Sequence, residues 1–325
     1  MIDRRKLIQF LPIACAVAPA ALVAAEPKVI GVLNPYSHAD LQSRLERFDL
    51  EMLHLGYVKG RDYVVAERTA EGRDDNLAAL AEDLVKRKVD LILVGGTSAA
   101  LQAHKATSTI PIVFVSVGDP VGAGFASSLA HPGRNLTGVS SVVGDLSGKR
   151  LDLLKQMVPG LTNVAILLTA KMPNYPAFMP RLRTNAQALG LEITVVEAPL
   201  PLKLERVFET LVASRPQAIY ETGDANLWGA REQVAALALR AHLPTSFALV
   251  ENVEAGGLMS YGADTQDLMR QSAIFIDKIF KGAKPGDLPI ELPSKIDLVI
   301  NTQTADALRL KIPETLLLQA ARLIQ

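Results

Sequence analysis

The sequence has little cysteine, no excess of charge and few aromatic residues. Of its 325 residues one is Cys, 5% are aromatic, and 34 Lys+Arg balance 34 Asp+Glu. A single cysteine excludes an intramolecular disulfide, a cysteine-based zinc site and an iron–sulfur cluster. A net charge of zero argues against nucleic-acid binding, which depends on a basic surface. The 49% hydrophobic content and 19 prolines exclude a disordered chain and a coiled coil. We therefore predict an α/β protein with two lobes.

The N-terminal segment has the layout of a secretory signal. Basic residues at 4–6 precede an apolar, uncharged stretch at 7–24, and Val23 and Ala25 are the small residues of a cleavage site. We expect an exported, periplasmic protein cleaved after Ala25. Lipid attachment at Cys15 is the alternative. No later apolar segment is long enough to span a bilayer.

The following residues alternate short β-branched runs with amphipathic helices. In the first helix Leu41, Leu45, Phe48 and Met52 recur at intervals of four, three and four residues, which places them on one face. Strands are predicted at 29–33, 63–68, 90–94 and 112–115. One helix between successive strands predicts right-handed βαβ units and a parallel sheet.

A second series of the same kind begins near residue 147. Three segments of the first half are echoed in order: "HLGYVKGRDYVVAE" by "ALGLEITVVEA", "VDLILVGGTSAA" by "PQAIYETGDANL" and "IPIVFVSVGDP" by "LPTSFALVENV". This repetition indicates a duplication. We predict two Rossmann-like lobes with parallel sheets, joined by a hinge. Lobe 1 is predicted to contain 28–139 and 258–285, and lobe 2 is predicted to contain 140–257 and 286–325.

Polar residues follow the predicted strands where the two lobes would face each other. Ligands of open parallel sheets bind beyond the carboxyl ends of the strands, and a ligand touching both lobes favours closure. Gly95-Gly96 precede Thr97 and Ser98, whose hydroxyls and helix N-terminal amides suit a carboxylate or phosphate. Asp224, at the matching place in the second half, suits an ammonium group. Donors from one lobe and an acceptor from the other predict a zwitterion such as an amino acid; helix capping is the alternative for each group.

Other candidate ligand contacts carry weaker signals. Asp119 precedes Pro120, which favours a cap at the start of a helix over a ligand role. Ser140 ends a strand that would cross between the lobes, near the hinge. Tyr36 follows the first strand, where it can cover an apolar part of a ligand or lie on the surface. Trp228 follows Asp224 by one helical turn; core packing is favoured over ligand stacking.

The sequence offers no recognisable reaction centre. Residues 144–150 resemble a phosphate-binding loop but are one residue too short and end in Arg. No G-x-G-x-x-G follows a strand, and the five histidines have no metal-ligand spacing. We therefore expect no cofactor, no metal and no enzyme activity.

Several segments together resemble a known family. They are "HLGYVKGRDYVVAERTAEGRDDNLAALAEDLVKRKVDLILVGGT", "IPIVFVSVGDPVGAGFASSLAHPGRNLTGVS", "GKRLDLLKQMVP", "EAGGLMSYGAD" and "IFKGAKPGDLPIELPSKIDLVINTQTADAL". The resemblance is to ABC-transporter substrate-binding proteins of the tryptophan or aromatic amino-acid uptake type. It implies a type I periplasmic binding fold and delivery of a small solute to a membrane permease with a separate ATPase. The cleft landmarks it implies are Thr97, Ser98, Asp119, Ser140 and Asp224. Tyr261 belongs to a further landmark, as a hinge element or a ligand contact.

The loop after the first strand, 34–38, reads Asn-Pro-Tyr-Ser-His, where tryptophan-handling members often carry a Glu-His-Pro-Ala-like loop. The identity of the solute therefore stays open. Our leading hypothesis is a monomeric, extracytoplasmic solute-binding component of an ABC importer. Two alternatives are a binding protein that signals to a membrane receptor and an exported α/β enzyme using Asp119 or Asp224 as a base.

Overall fold

The computed structural model describes residues 26–141, 146–169 and 175–325, apart from the side chains of 176 and 177. The predicted signal segment with Cys15 lies outside the described residues. So do the first two residues, 144 and 145, of the segment that resembles a phosphate-binding loop.

The first sheet has five parallel strands in the order β2-β1-β3-β4-β5. Its strands are β1 Lys28–Asn34, β2 Tyr63–Thr69, β3 Leu91–Gly95, β4 Ile112–Val117 and β5 Leu136–Ser140. The central residues of β1, β3, β4 and β5 are buried because helices cover both faces of the sheet, whereas the central residues of the edge strand β2 are half-buried. The predicted βαβ alternation is therefore present in this half of the chain.

Three helices connect these strands: α1 His38–His54, α2 Leu77–Lys86 and α3 Gly96–Ala106. Ser37 caps α1, since its hydroxyl accepts from the amide of Asp40 at 3.2 Å. The predicted apolar stripe of α1, from Leu41 to Met52, is buried against the sheet. Gly56, with φ of +94°, follows the end of the helix, a place where glycine is favoured because it adopts positive φ without strain.

The second sheet has seven strands in the order β12-β11-β10-β9-β8-β6-β7. They are β6 Asn163–Thr169, β7 Glu192–Ala198, β8 Ala218–Glu221, β9 Thr245–Phe247, β10 Met259–Ala263, β11 Ile296–Asn301 and β12 Ala320–Ile324. All neighbouring strands are parallel except β10 and β11.

The remaining helices are α4 Ser147–Met157, α5 Tyr175–Ala188, α6 Leu204–Ala213, α7 Ala225–Gly229, α8 Arg231–Arg240, α9 Val250–Glu254, α10 Thr265–Phe280, α11 Thr302–Ala307 and α12 Glu314–Gln319. Most of them cover the second sheet. α10 is different, because it packs against α1 and the first sheet.

The chain therefore passes between the two sheets more than once. After β5 it enters the second half; β10 leads into α10 on the first sheet, and β11 returns to the second. In β10, Gly262 lies so close to the backbone of Ala248 that a Cβ would overlap the Ala248 carbonyl oxygen. Within the segment 258–285, β10 pairs in the second sheet and α10 packs on the first sheet. The lobe boundaries themselves stay a prediction.

One predicted element is absent. The expected helix after Asp119 and Pro120 does not form; a turn follows instead, in which Asp119 Oδ1 accepts from the amide of Gly122 at 2.8 Å. Upstream of this turn, Ser116 has φ of +64° and the pairing of β4 with β5 shifts register. The Asp-Pro pair therefore begins an isolated turn, in which the amide of Ala123 donates to the Asp119 carbonyl oxygen at 3.0 Å, rather than a helix.

Candidate functional site

The carboxyl ends of strands from both sheets face each other, and the loops beyond them make direct contact. The rings of Tyr36, after β1, and Trp228, after β8, lie 4.3 Å apart between centroids. Asn226 Nδ2 donates to Asp74 Oδ2 at 3.4 Å. Since Tyr36 and Asp74 belong to the first half and the other two to the second, this contact region is an interlobe cleft.

Two ion pairs border the same cleft. Arg231 Nη2 lies 2.7 Å from Asp40 Oδ1, with 20% and 15% of the two side chains exposed. Arg44 Nη2 lies 3.7 Å from Glu251 Oε1. Each pair joins α1 of the first half to a helix of the second, so the two halves are held together by charge as well as by aromatic contact.

Aromatic rings and guanidinium groups form the apolar part of the cleft. Tyr36 lies over Gly95 and Gly96, where a Cβ on Gly96 would stand 3.3 Å from the Tyr36 hydroxyl oxygen. The guanidinium carbon of Arg44 is 4.6 Å from the Tyr36 ring centroid and 4.4 Å from that of Trp228. Arg231 approaches Trp228 at 4.3 Å. Both rings are buried, which strengthens such cation–π contacts.

The pKa of Tyr36 reflects this environment. Burial raises it, whereas the neighbouring Arg44 opposes the shift. The phenol therefore stays neutral at physiological pH and keeps a hydroxyl proton to donate.

Thr97 and Ser98 lie in the first turn of α3, beside Tyr36 and the loop after β4. The amide of Gly118 donates to Thr97 Oγ1 at 3.4 Å, a long hydrogen bond. Ser98 Oγ is buried and has no hydrogen-bond partner among the described residues.

Both carboxylate oxygens of Asp224 accept hydrogen bonds from groups of its own lobe. Its Oδ1 accepts from the amides of Asn226 at 2.8 Å and Leu227 at 3.3 Å, which caps α7. Its Oδ2 accepts from the Thr169 hydroxyl at 2.5 Å. The capping alternative for this residue is therefore present, and its predicted role toward an ammonium group stays a prediction.

Asp74 faces Asp224 from the opposite lobe. Burial raises the pKa of Asp74, and the charge of Asp224 raises it further, while Asn226 and Ser98 act in the opposite direction. Its Oδ1 is buried and has no hydrogen-bond partner among the described residues. In the sequence Asp74 and Asp75 form an acidic pair shortly before α2, a pattern typical of a helix start.

Glu221 and Arg150 form a second charged group behind the end of β8. Glu221 Oε1 accepts from the amides of Gly223 at 2.8 Å and Asp224 at 2.9 Å. Burial raises the pKa of Glu221 to about 7, although Arg150 opposes the shift. Arg150 is fully buried, lies 4.1 Å from the Tyr220 ring centroid and donates to the Glu221 carbonyl oxygen. This group braces the turn that carries Asp224.

The predicted site residues thus fall into two sets. Tyr36, Ser98 and Asp224 lie together around Asp74, Trp228 and Gly96, with Thr97 adjoining them in α3. Asp119 is bonded within its own turn, and the Ser140 hydroxyl donates to the Val117 carbonyl at 2.9 Å. Tyr261 lies in β10, packed against the core of the second sheet. Their ligand roles stay predictions.

Four residues that form the cleft were missed as candidates from the sequence: Arg44, Asp74, Asn226 and Arg231. Only Arg44 left a signal, because a cation on the apolar stripe between Leu41 and Phe48 needs a buried partner. In the described residues no three His, Cys, Asp or Glu side chains are grouped to hold a metal ion. Across 26–141, 146–169 and 175–325 no helix has the length and apolarity that a membrane crossing requires.

This chain is similar to known proteins in both sequence and fold. The family model for ABC transporter substrate binding proteins matches residues 29–324. A tyrosine-binding protein of Clostridioides difficile (strain R20291) is 24% identical over 281 residues, which span 86% of this chain and 81% of that protein.

Two crystal structures match in fold and above 25% in sequence. A conserved domain protein from Vibrio cholerae O1 biovar eltor superposes with a TM-score of 0.83 at 28% identity, over 92% of this chain and 100% of the other. An ABC domain in complex with L-Trp from Streptococcus pneumoniae gives a TM-score of 0.80 at 26% identity, over 91% and 100%. The predicted fold class, two α/β lobes of the type I periplasmic binding fold, is confirmed.

Proposed function

Because this chain belongs to the family of ABC transporter substrate-binding proteins, we propose that it binds an aromatic amino acid in the interlobe cleft. The observation that carries the proposal is the buried stack of Tyr36, Arg44 and Trp228, bordered by polar atoms that have no hydrogen-bond partner among the described residues. Flat π surfaces backed by a guanidinium group favour another aromatic ring over an aliphatic side chain.

The relatives support the same ligand class. One is named for binding tyrosine, and another was crystallised with L-Trp. At 24% and 26% sequence identity these relatives support the ligand class but do not identify the amino acid. Which one is preferred depends on the side chains of this chain.

In this proposal the polar ends of the ligand meet polar groups from both lobes. The hydroxyls of Thr97 and Ser98 and the N-terminal amides of α3 receive the carboxylate. Asp224 lies on the side of the ammonium group. Closing the lobes excludes water and strengthens each charge-assisted contact. A micromolar affinity corresponds to roughly −8 kcal/mol, within reach of a few such bonds plus one buried ring.

The closed, ligand-bound form would be recognised by a membrane permease that a separate ATPase drives. We propose that the protein acts as an extracytoplasmic monomer, exported by its N-terminal signal, and that it releases the ligand unchanged. The family and its neighbours are solute-binding proteins rather than enzymes, so we assign no catalytic step.

A thermal-shift and calorimetric comparison of L-Trp, L-Tyr, L-Phe and L-Leu tests the ligand class. We expect one or more aromatic amino acids to stabilise the protein by about 2.7 kcal/mol at a hundredfold excess over Kd, with L-Leu much weaker. Trp228→Ala should abolish the preference for aromatic ligands. Equal stabilisation by L-Leu, or none by any aromatic amino acid, would overturn the proposal.

A further inference from the structure

Asp74 is a carboxylate at a lobe interface without a cation. Its Oδ1 has no partner within hydrogen-bond distance among the described residues, its Oδ2 receives the 3.4 Å bond from Asn226, and the Ser98 hydroxyl lies beside the carboxylate and lowers its pKa. The charged groups that act on it most strongly are Asp224 and Asp75, both negative. A half-buried carboxylate in a negative environment gains much from a cation brought by a ligand.

A second, independent atom points to the same ligand group. Asn226 is only 8% exposed, and its amide oxygen Oδ1 has no hydrogen-bond partner in the described part of the chain. Its Nδ2 faces Asp74, so the unsatisfied oxygen belongs to an amide that adjoins the unsatisfied carboxylate. Unpaired buried acceptors are costly, and two of them together call for a donor with several N–H groups.

We propose that Asp74 holds the ammonium group of the ligand, with Asn226 Oδ1 as a second acceptor, and that Asp74 is therefore the residue that selects amino acids over their deaminated analogues. This inference rests on the proposed function and assigns part of its site. Asp224 is then a positioning residue, because its oxygens cap α7 and bind Thr169, and the cap fixes Asn226 opposite Asp74.

The arrangement also fits the connectivity of an α-amino acid. Its ammonium and carboxylate groups are attached to the same carbon, so their acceptors and donors must be neighbours. Ser98 contributes to the electrostatic environment of Asp74 and stands in the first turn of α3. Because Asp74 comes from one lobe and Asn226 from the other, one ammonium group would bridge the closing cleft.

Isothermal calorimetry on the full chain tests the assignment with four probes: L-Tyr, L-Trp, 3-(4-hydroxyphenyl)propionate and indole-3-propionate. The variants are Asp74→Asn and, as a matched control of the same chemistry at an exposed neighbour, Asp75→Asn. Wild type should bind the amino acids at least tenfold more tightly than the deaminated acids. Asp74→Asn should weaken amino-acid binding about 10- to 100-fold and change deaminated-acid binding less than threefold.

Each other outcome decides the question. An equal loss for both ligand classes would make Asp74 merely structural, and an unchanged amino-acid affinity would remove it from the site; either overturns the inference. The same applies if wild type binds the deaminated acids as tightly as the amino acids, although the aromatic site itself would then survive. Failure of wild type to bind any of the four probes would instead refute the proposed function. Thermal unfolding without ligand verifies that the variants fold.

Discussion

The loops that follow β3 and β8 occupy equivalent places in the two lobes; the end of β2 contributes beside the first and the end of β6 beside the second, yet the polar groups of the two regions are used differently. In the second lobe Glu221 and Asp224 accept from backbone amides, and Thr169 completes Asp224. In the first lobe Ser98 Oγ and Asp74 Oδ1 have no partner among the described residues. At these strand ends the second lobe is bonded internally and the first lobe has unmet bonding capacity; in the helix that follows β8, the second lobe also has an unpaired acceptor, Asn226 Oδ1.

The unpaired atoms affect the stability of the protein as well as its binding of a ligand. A buried polar atom without a partner destabilises the protein by about 1–3 kcal/mol. Ser98 and Asp74 in the first lobe and Asn226 in the second carry that cost, and a ligand with matching polar groups removes it. Equivalent positions in a duplicated fold therefore need not share a function, as Ser98 after β3 and Asp224 after β8 illustrate.

The largest expected effect comes from Trp228, the second-lobe side chain that packs on the first lobe. Trp228→Ala removes a ring that is 98% buried and should lower the free energy of unfolding by about 3–4 kcal/mol, measured by urea denaturation without ligand. Trp228→Phe, which keeps a ring beside Tyr36, should lose less than half of that. A loss below about 1 kcal/mol for the alanine variant would mean that the lobes stand apart in the empty protein.

Glu221 tests whether a buried carboxylate at the end of β8 destabilises the folded protein when it is charged. Since burial raises its pKa to about 7, the folded protein binds this proton more tightly than the unfolded chain. Its contribution to stability is therefore greatest below about pH 4.5 and is lost as the pH rises through about 7. Glu221→Gln keeps the acceptor oxygen, so the variant should gain up to roughly 3 kcal/mol relative to wild type over that range. Urea denaturation from pH 4 to 8 measures the difference; parallel curves would contradict it.

Asp224 and Asp74 provide the direct contrast between the lobes. Asp224→Ala removes a helix cap and the partner of Thr169, and it should cost about 2 kcal/mol of unfolding free energy. Asp74→Asn removes an unpaired negative charge, so the empty protein should change by less than about 0.5 kcal/mol or become more stable. Thermal unfolding of both variants without ligand is sufficient. Equal destabilisation would show that the two carboxylates are used alike.

Much of the fold follows from local pattern. The four-three-four spacing of Leu41, Leu45, Phe48 and Met52 depends only on which face of α1 meets the sheet, and the structure agrees. The sequence also predicts a helix that is capped by Ser147 and ends at Met157; α4 ends there, but Ser147 is its first residue and Leu146 its N-cap. The Asp119-Pro120 pair is a sound local helix signal, but a left-handed Ser116 just upstream leads the chain into a turn. Local propensity is weaker than that tertiary constraint.

The site was predictable only in part for a related reason. Tyr36, Thr97, Ser98 and Asp224 were identifiable because they directly follow strands, and strand ends converge in this topology. Asp74 was not identifiable, because its proposed role depends on its contact with Asn226, which is 152 residues away in the sequence and lies in the other lobe. An acidic pair at a helix start looks identical whether it faces water or an opposite lobe.

The smallest effect concerns the ion pair that spans the two regions, Arg231 with Asp40. Because Arg231 also packs on Trp228, single substitutions mix several losses, and a double-mutant cycle with Arg231→Gln and Asp40→Asn is needed to isolate the pair. We expect a coupling of about 0.5–1 kcal/mol without ligand, reduced in 0.5 M salt. A cycle on Lys28 and Asp90, 2.8 Å apart within the first lobe, is the control, since its coupling should not respond to ligand. The interlobe coupling should rise when ligand closes the cleft. If it is zero both with and without ligand, the two lobes do not meet through this pair in solution, and the contrast between them would rest on the aromatic contact alone.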